Sequence, residues 1–170
     1  MNIYEIIQTR RSVRSFREDL ISEETLKKIL EAARLAPTAQ NDQNFKLVIV
    51  QDKEKRQALA KAADQRFIAE APVIIVAVSL DPDDVMDSDV PTYAMDLAIV
   101  LDHITLAAVE EKLGTCWIGA FSQEETKKVL DIPEKYKIAG MMPLGVPYDE
   151  PGVKTRKNIK QLISYDNFSE

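Results

Sequence analysis

The order of predicted elements indicates a three-layer α/β or α+β sandwich in one domain. Predicted helices and strands alternate along the 170 residues, and helices outnumber strands. No repeat with a period of about 20 to 50 residues is present, and no Gly-rich linker divides the chain. No G-x-G-x-x-G or Walker pattern follows a predicted strand, so a Rossmann or P-loop assignment lacks its main support. We therefore expect a single domain over residues 1–170.

The first part of the chain supplies two predicted helices and a strand. Isoleucines at helical spacing indicate a helix over residues 3–10. Ser22 can cap a second helix, whose apolar stripe stops at Pro37. The polar stretch Thr38–Asn44 is typical of a loop, and the continuous apolar run Phe45–Val50 predicts a buried strand.

A helix over residues 53–71 and a second buried strand over Val73–Leu80 are predicted next. The segment from Pro82 to Pro91 is rich in aspartate, and we interpret it as a mobile surface loop. It is also the only segment that the sequence offers as a cover for a pocket.

The longest predicted helix covers residues 92–113 and stops at Gly114, an ordinary end signal for a helix. Its apolar stretch is long enough to cross a membrane, but it contains aspartates, glutamates and His103, so a buried helix explains it better. We expect His103 to be a core or interface histidine rather than a catalytic one.

Three shorter elements complete the predicted fold. Thr115–Phe121 indicates a third strand and turn, and Ser122 opens a helix with a capping-box pattern. Ile138–Val146 predicts a fourth strand. Because Pro143 and Gly145 interrupt it, we expect this strand to lie at a sheet edge or to contact a ligand.

Composition and charge exclude several classes of function. Lys and Arg total 22 against 28 Asp and Glu, and the net charge of -6 opposes generic binding to nucleic acid or to an anionic membrane. The single cysteine, Cys116, excludes an internal disulfide and fits a reducing compartment. A Cys/His metal site is not expected with one Cys and one His. No secretory leader pattern is present, so we expect a cytoplasmic protein without nucleic-acid or membrane partners.

A basic run near the N-terminus is the first candidate binding motif. Four arginines and a serine fall within eight residues of an acidic chain, and they are Arg10, Arg11, Ser12, Arg14 and Arg17. Guanidinium groups and a hydroxyl suit a phosphate. A solvated basic helix end is the competing interpretation, and composition alone slightly favours it. Lys154 and Arg156 could add cationic contacts, although solvated charge is the ordinary interpretation of such a tail.

Two further segments have groups suited to a flat heterocycle. The loop Pro37–Gln43 combines hydroxyl and carboxamide side chains with exposed backbone, which is also typical of an ordinary polar turn. In the second segment, Trp117 is expected in the core. Gly119 and Ala120 are equally compatible with a core strand end and with a ring lying close to backbone N–H groups.

In this order, three motifs make the sequence similar to the FMN-dependent nitroreductase family over essentially the whole chain. They are Arg10-Arg11-Ser12-Val13-Arg14, Ala36-Pro37-Thr38-Ala39 with Asn41 and Gln43, and Gly114-Thr115-Cys116-Trp117-Ile118-Gly119-Ala120. A terminal Lys154-Thr155-Arg156 strengthens the resemblance. The resemblance implies an α+β, three-layer α/β/α sandwich that forms an intertwined homodimer through its long central helix, with FMN at the interface.

The resemblance also implies which residues bind non-covalent FMN. They are Arg10, Arg11, Ser12, Arg14, Pro37, Thr38, Ala39, Asn41, Gln43, Ile118, Gly119, Ala120, Lys154 and Arg156. Arg10, Ser12 and Arg156, with Lys154, would hold the phosphate, and Arg14 would face the pyrimidine edge and raise the reduction potential. The Pro37–Gln43 loop would come from the other subunit. Backbone donors near Gly119 and Ala120 would meet the N5 side.

The implied activity is a ping-pong oxidoreductase in which NADH or NADPH reduces FMN, leaves, and is replaced by a small acceptor such as a nitroaromatic, a quinone or a flavin. No residue is assigned as a catalytic acid or base, and no metal is expected. Dehalogenation or flavin fragmentation on the same fold is an alternative. A non-catalytic FMN carrier or redox sensor is another, and an acidic interaction domain without cofactor is a third.

Overall fold

The computed structural model describes residues 1–149 and 152–169. Five α-helices and four β-strands form the described part of the chain. In chain order they are α1 (Ile3–Thr9), α2 (Glu23–Arg34), β1 (Phe45–Val50), α3 (Lys53–Ala62), β2 (Val73–Ser79), α4 (Thr92–Glu110), β3 (Gly114–Thr115), α5 (Gln123–Leu130) and β4 (Lys137–Gly145). Short 3₁₀ turns cover Ala39–Asn41, Arg66–Ala69 and Ile159–Gln161.

The strands form one antiparallel sheet with the order β1-β2-β4-β3. In its register Phe45 lies opposite Ser79 on β2, and Val76 lies opposite Met141 on β4. A bulge between Ala77 and Val78 shifts the second pairing. Every residue of β2 is buried, because this strand lies inside the sheet and is covered on both faces.

Side-chain alternation along β2 divides the core into two clusters. Val73, Ile75 and Ala77 pack with residues of α2 and α4, whereas Ile74 and Val76 pack with residues of α3 on the opposite face. Helices therefore cover both faces of one antiparallel sheet. The predicted α+β, three-layer sandwich is confirmed.

Predicted N-caps fix the starts of two helices. The Ser22 side chain accepts a hydrogen bond from the Thr25 N–H at 3.1 Å, and the Ser122 side chain accepts one from the Glu125 N–H at 3.2 Å. Each bond satisfies an N–H that the first helical turn leaves unpaired.

Two predicted elements differ from the structure. The predicted helix over 53–71 is wrong beyond Ala62, because Asp64 adopts a left-handed φ of 51° and a 3₁₀ turn follows. The edge placement of the fourth strand is also wrong, because β4 lies between β2 and β3. Pro143 is accommodated inside the sheet opposite Ile74.

Gly114 does not stop the long helix. The left-handed turn after α4 is made by Lys112, with φ of 59°, while Gly114 begins β3. A Cβ at Gly114 would lie 2.5 Å from Val13 Cγ2, so this glycine allows the N-terminal segment to approach the sheet closely. The predicted third strand is shorter than expected: beyond Thr115 only Ile118 pairs, in an isolated bridge to Met141.

Helix α4 is long and apolar enough to cross a membrane. An 18-residue window of this helix has a mean hydropathy of 1.4, and 33% of the window is buried in the fold. A core helix meets the same criteria, and seven residues of α4 are buried. Before α4, the aspartate-rich segment closes on itself through a bridge between Val85 and Pro91 and a bond from the Met86 N–H to the Val90 carbonyl.

Candidate functional site

The extended segment after α1 docks on the sheet beside β3. Ser12 forms a parallel bridge with Thr115, and the Val13 N–H donates to the Thr115 carbonyl at 2.9 Å. Further along, the Arg17 N–H donates to the Val146 carbonyl at 2.9 Å. The basic run and the Gly114–Ala120 motif, about a hundred residues apart in sequence, are thus neighbours in the fold.

Four cations gather where this segment meets the C-terminal tail, and a fifth, Arg14, lies with Arg10 near Cys116. The four are Arg10, Arg11, Lys154 and Arg156. Partial burial lowers the pKa of Lys154, and the charges of Arg10, Arg156 and Arg11 lower it further. Within residues 1–149 and 152–169, none of the five forms an ion pair. Arg17 is different, because it pairs with Asp19.

An open cleft of ≈ 610 Å³ lies between α1 and the tail. Its lining residues are Tyr4, Ile7, Gln8, Arg11, Lys154 and Arg156. The structure therefore brings the sequence-predicted cations of the two chain ends to one place. Uncompensated positive charge beside an open cleft is an environment that favours an anionic ligand.

The Ile118–Ala120 turn follows Thr115, which pairs with Ser12, and it presents backbone donors. Ile118 exchanges both backbone hydrogen bonds with Met141, at 2.9 and 3.0 Å. The following N–H groups of Gly119 and Ala120 donate to no other residue that the structure describes, and both residues are exposed. A Cβ at Gly119 would meet nothing within 4 Å, so space is open there.

Trp117, just before this turn, does not lie in the core as predicted. Its side chain is 44% exposed, not in the core, and its Nε1 donates to Thr105 Oγ1 on α4 at 3.2 Å. The core prediction is wrong, because the indole reaches the buried Thr105 through its Nε1 while much of the residue stays accessible. Cys116 is buried, and this burial raises the pKa of its thiol, while the charges of Arg14 and Arg10 act in the opposite direction.

His103 is half-buried, and its Nδ1 lies 3.2 Å from the Ala32 carbonyl on α2. The expected structural role fits this contact between two packed helices. Within the described residues, no group of three or more His, Cys, Asp or Glu is placed to hold a metal ion.

The Pro37–Gln43 loop is polar, as predicted, and its backbone is unusual. Gln40, Asn41 and Gln43 all have positive φ, between 51° and 61°. Thr38 Oγ1 accepts from the Gln43 N–H at 3.2 Å, and Asp96 Oδ1 accepts from the Ala39 N–H at 3.0 Å. The second bond holds the loop against α4, the first closes the loop on itself, and the exposed Asn41 side chain has no described hydrogen-bond partner.

Within one chain the predicted site residues form two separate groups. The first contains Arg10, Arg11, Ser12, Arg14, Ile118, Gly119, Ala120, Lys154 and Arg156, and the second contains Pro37, Thr38, Ala39, Asn41 and Gln43. Among the described residues, no hydrogen bond or ion pair joins one group to the other.

Comparison with known proteins identifies the family. The sequence matches the family described as "Putative TM nitroreductase" over residues 2–170. The chain belongs to the nitroreductase family. The resemblance inferred from the three sequence motifs is therefore confirmed.

Individual relatives support the same family over most of the chain. A "Putative NADH dehydrogenase/NAD(P)H nitroreductase" of Archaeoglobus fulgidus is 32% identical, with 85% of each chain covered. A nitroreductase family protein from Clostridium novyi NT has 34% identity and a TM-score of 0.82, covering 88% of this chain and 87% of that one. The NADPH:FMN oxidoreductase from Vibrio harveyi, complexed with NAD+, has 27% identity and a TM-score of 0.90, covering 100% and 79%. The nitroreductase-like fold is thus confirmed.

The competing interpretation of the basic run, a helix end whose cations favour the C-terminal dipole, applies to Arg11, whereas the contact of Lys154 with α1 was not predicted. Arg11 donates to the carbonyls of Gln8, Thr9, Arg10 and Gly152, and Lys154 donates to that of Ile7. The position of Arg11 immediately after a predicted helix end was a usable signal, because cations near a helix C-terminus interact with its last carbonyls.

Proposed function

We propose that this nitroreductase-family chain is an FMN-dependent NAD(P)H oxidoreductase that reduces a small acceptor, such as a nitroaromatic, a quinone or a flavin. The relatives named above support this proposal, because their names include NAD(P)H nitroreductase and NADPH:FMN oxidoreductase. The observation that matters most for this chain is the donor set. It consists of a cation cluster without a described carboxylate partner and of the free backbone N–H groups that follow Thr115, the residue paired with Ser12.

This donor set fits FMN. Arg10, Arg156 and the exposed Ser12 hydroxyl suit a dianionic phosphate, and the open space at Gly119 lets a flat ring approach the backbone. The free N–H groups of Gly119 and Ala120 suit the acceptor atoms on the N5 side of a flavin. When bound, FMN supplies the electron-transfer chemistry, so that these residues serve to bind and orient it.

Arg14 has a separate role in this proposal. Its guanidinium is exposed and bonds to no described residue, and it belongs to the same cluster as Arg10. Facing the pyrimidine edge, its positive charge favours the anionic reduced flavin and raises the reduction potential. We assign no side chain as a proton donor or acceptor.

The functional unit in this proposal is an intertwined homodimer, with each chain a single domain over residues 1–170. No described hydrogen bond or ion pair joins the two groups of site residues within one chain, and in this proposal the Pro37–Gln43 loop completes the site of the second copy. Helices α1 and α4 also expose apolar side chains that a second copy would cover, such as Ile3, Tyr4 and Met95. The single buried thiol fits our proposed cytoplasmic location.

The test is a redox cycle on purified protein. After incubation with FMN and removal of the excess, we expect yellow protein that NADH or NADPH bleaches and that a quinone or nitroaromatic re-oxidises. Bleaching without re-oxidation by any acceptor would indicate a carrier or sensor. Protein that stays colourless with excess FMN would contradict the proposal.

A pair of variants tests the assigned roles. Arg14→Ala is expected to lower the flavin reduction potential more than it weakens binding, whereas Arg10→Ala mainly weakens FMN binding, by about tenfold or more. Arg17→Ala is the matched control, because it removes the same charge from a residue paired with Asp19. Equal effects of the Arg14 and Arg10 variants on the potential would contradict the two roles.

A further inference from the structure

The five cations divide into two kinds by their hydrogen bonds. Arg11 is hydrogen-bonded to the end of α1. Its Nη1 donates to the carbonyls of Gln8, Thr9 and Arg10 at 2.8, 3.0 and 2.9 Å. Its Nε donates to the Gly152 carbonyl at 3.2 Å. By contrast, the side chains of Arg10 and Arg14 donate to no described residue.

Arg11 reaches from the N-terminal segment to the tail, and Lys154 reaches from the tail back to α1. The Lys154 Nζ donates to the Ile7 carbonyl on α1 at 2.8 Å. The final carbonyls of a helix have no partner within the helix and carry partial negative charge. Arg11 and Lys154 satisfy these groups at the end of α1, so their charges are directed at the helix end.

These contacts are also what attaches the tail. Among the described residues, the bonds Arg11 to Gly152 and Lys154 to Ile7 are the only hydrogen bonds between residues 152–169 and the rest of the chain. Apart from Lys154, every described residue of the tail is exposed. Arg156 lies two residues beyond Lys154, and its Nη1 donates only to the neighbouring Thr155 carbonyl.

We propose that Arg11 and Lys154 are positioning residues that clasp the tail to the end of α1 and thereby place Arg156 in the phosphate site with Arg10. In this arrangement Arg10, Ser12 and Arg156 bind the phosphate, and the clasp residues act through Arg156. The inference rests on the proposed function for the identity of the ligand. The clasp itself belongs to the flavin-free protein.

The clasp predicts an effect that does not depend on flavin. In protein free of FMN, Arg11→Ala and Lys154→Ala should each accelerate exchange of the four hydrogen-bonded amides in residues 152–163, because the clasp holds their turn in place. These are the amides of Asn158, Lys160, Gln161 and Leu162. Arg10→Ala and the charge-matched control Arg17→Ala should leave that exchange unchanged. Arg11→Lys keeps the charge but lacks the guanidinium fork that reaches several carbonyls, so it should also accelerate the exchange. It replaces Arg11→Ala in the test if that variant folds poorly.

A double-mutant cycle on FMN binding separates positioning from direct contact. Arg11→Ala and Arg156→Ala should each weaken FMN binding about tenfold, and the double variant should also lose only about tenfold. The pair Arg10→Ala and Arg156→Ala should instead lose clearly more than tenfold together, because each arginine makes its own contact with the phosphate.

Two results would overturn this inference. Tail exchange at the wild-type rate in Arg11→Ala would remove the clasp, and a multiplied loss in the Arg11 and Arg156 double variant would make Arg11 a direct ligand. Wild-type protein that binds no FMN would overturn the proposed function and the phosphate role of Arg156. The exchange rates would still report separately on the clasp.

Discussion

The two faces of the sheet are covered to different extents. On the α3/α5 face, Leu59 and Ile68 are fully buried, and the outer surfaces of both helices are charged. No large apolar side chain of α3 or α5 is exposed in the part of the chain that the structure describes. On the α2/α4 face, α4 leaves Met95 exposed, and α1 leaves Ile3 and Tyr4 exposed.

In the proposed homodimer, the α3/α5 face is complete within one chain and is the closed face, whereas the α2/α4 face with α1 is covered by the second chain and is the open face. Isolated exposed apolar residues are ordinary, but a contiguous apolar surface favours a protein interface. A groove of ≈ 190 Å³ between α4 and β4 lies on the open face, with Tyr93, Ala98 and Trp117 among its lining residues. The proposed homodimer would cover this face. Substitutions on the closed face should therefore change the stability of each chain, and substitutions on the open face should change dimerisation.

The largest effect is expected in the closed face. Leu59→Ala should lower the free energy of unfolding by about 2–5 kcal/mol, because the side chain is fully buried and its removal leaves a cavity. Denaturant unfolding should show this loss at every protein concentration. Leu20→Ala, at an exposed position, is the control and should change little. A loss that disappears at high protein concentration would place Leu59 in an interface instead.

The contact between the N-terminal segment and β3 should give the next largest effect on stability. Gly114→Ala would put a Cβ 2.5 Å from Val13 Cγ2, so we expect a destabilisation of about 1–3 kcal/mol and weaker FMN binding. Gly119→Ala is the matched control for stability, because its Cβ would meet nothing within 4 Å. Equal unfolding midpoints for the two variants would show that the close approach at Gly114 is not required.

A charge on the open face should act on assembly. Met95→Glu should weaken dimerisation about tenfold, or ~1.4 kcal/mol, because a carboxylate would have to be desolvated at the interface. Gln57→Glu adds the same charge to an exposed position of α3 and should leave dimerisation unchanged. Sedimentation over a range of concentrations measures both. Wild-type protein that is monomeric throughout would remove the open face as a dimer interface.

Much of the closed face could be predicted from the sequence, because its signals are local. The continuous apolar run of β2 indicated a strand covered on both faces, and Ser122 marked the start of α5. Where the prediction was wrong, the structure depends on backbone geometry or on contacts between distant parts of the chain. Pro143 is tolerated inside the sheet by its particular register, and Asp64 adopts a left-handed turn that a helical pattern does not reveal.

The candidate site was predictable as a set of residues but not as an arrangement. Three motifs identified the family, and the N- and C-terminal cations do meet. The bond from Arg11 to the tail could not be predicted, because the Gly152 carbonyl meets Arg11 only when the two ends of the chain are placed in the fold. Likewise, the exposure of Trp117 depends on a bond to Thr105, which lies one helix earlier in the chain.

The smallest expected effect again concerns the closed face and depends on pH. Burial of Cys116 raises the pKa of its thiol above its ordinary value, so the folded state keeps the proton while the unfolded state loses it. The resulting stabilisation is complete below the thiol's ordinary pKa and is lost as the pH rises through the folded-state pKa. Unfolding of wild type and Cys116→Ala, compared between about pH 8 and pH 10, brackets the ordinary value of about 8.5. The stability advantage of the wild type should shrink as the pH rises. An advantage that grows would mean that Arg14 and Arg10 outweigh burial and stabilise the thiolate.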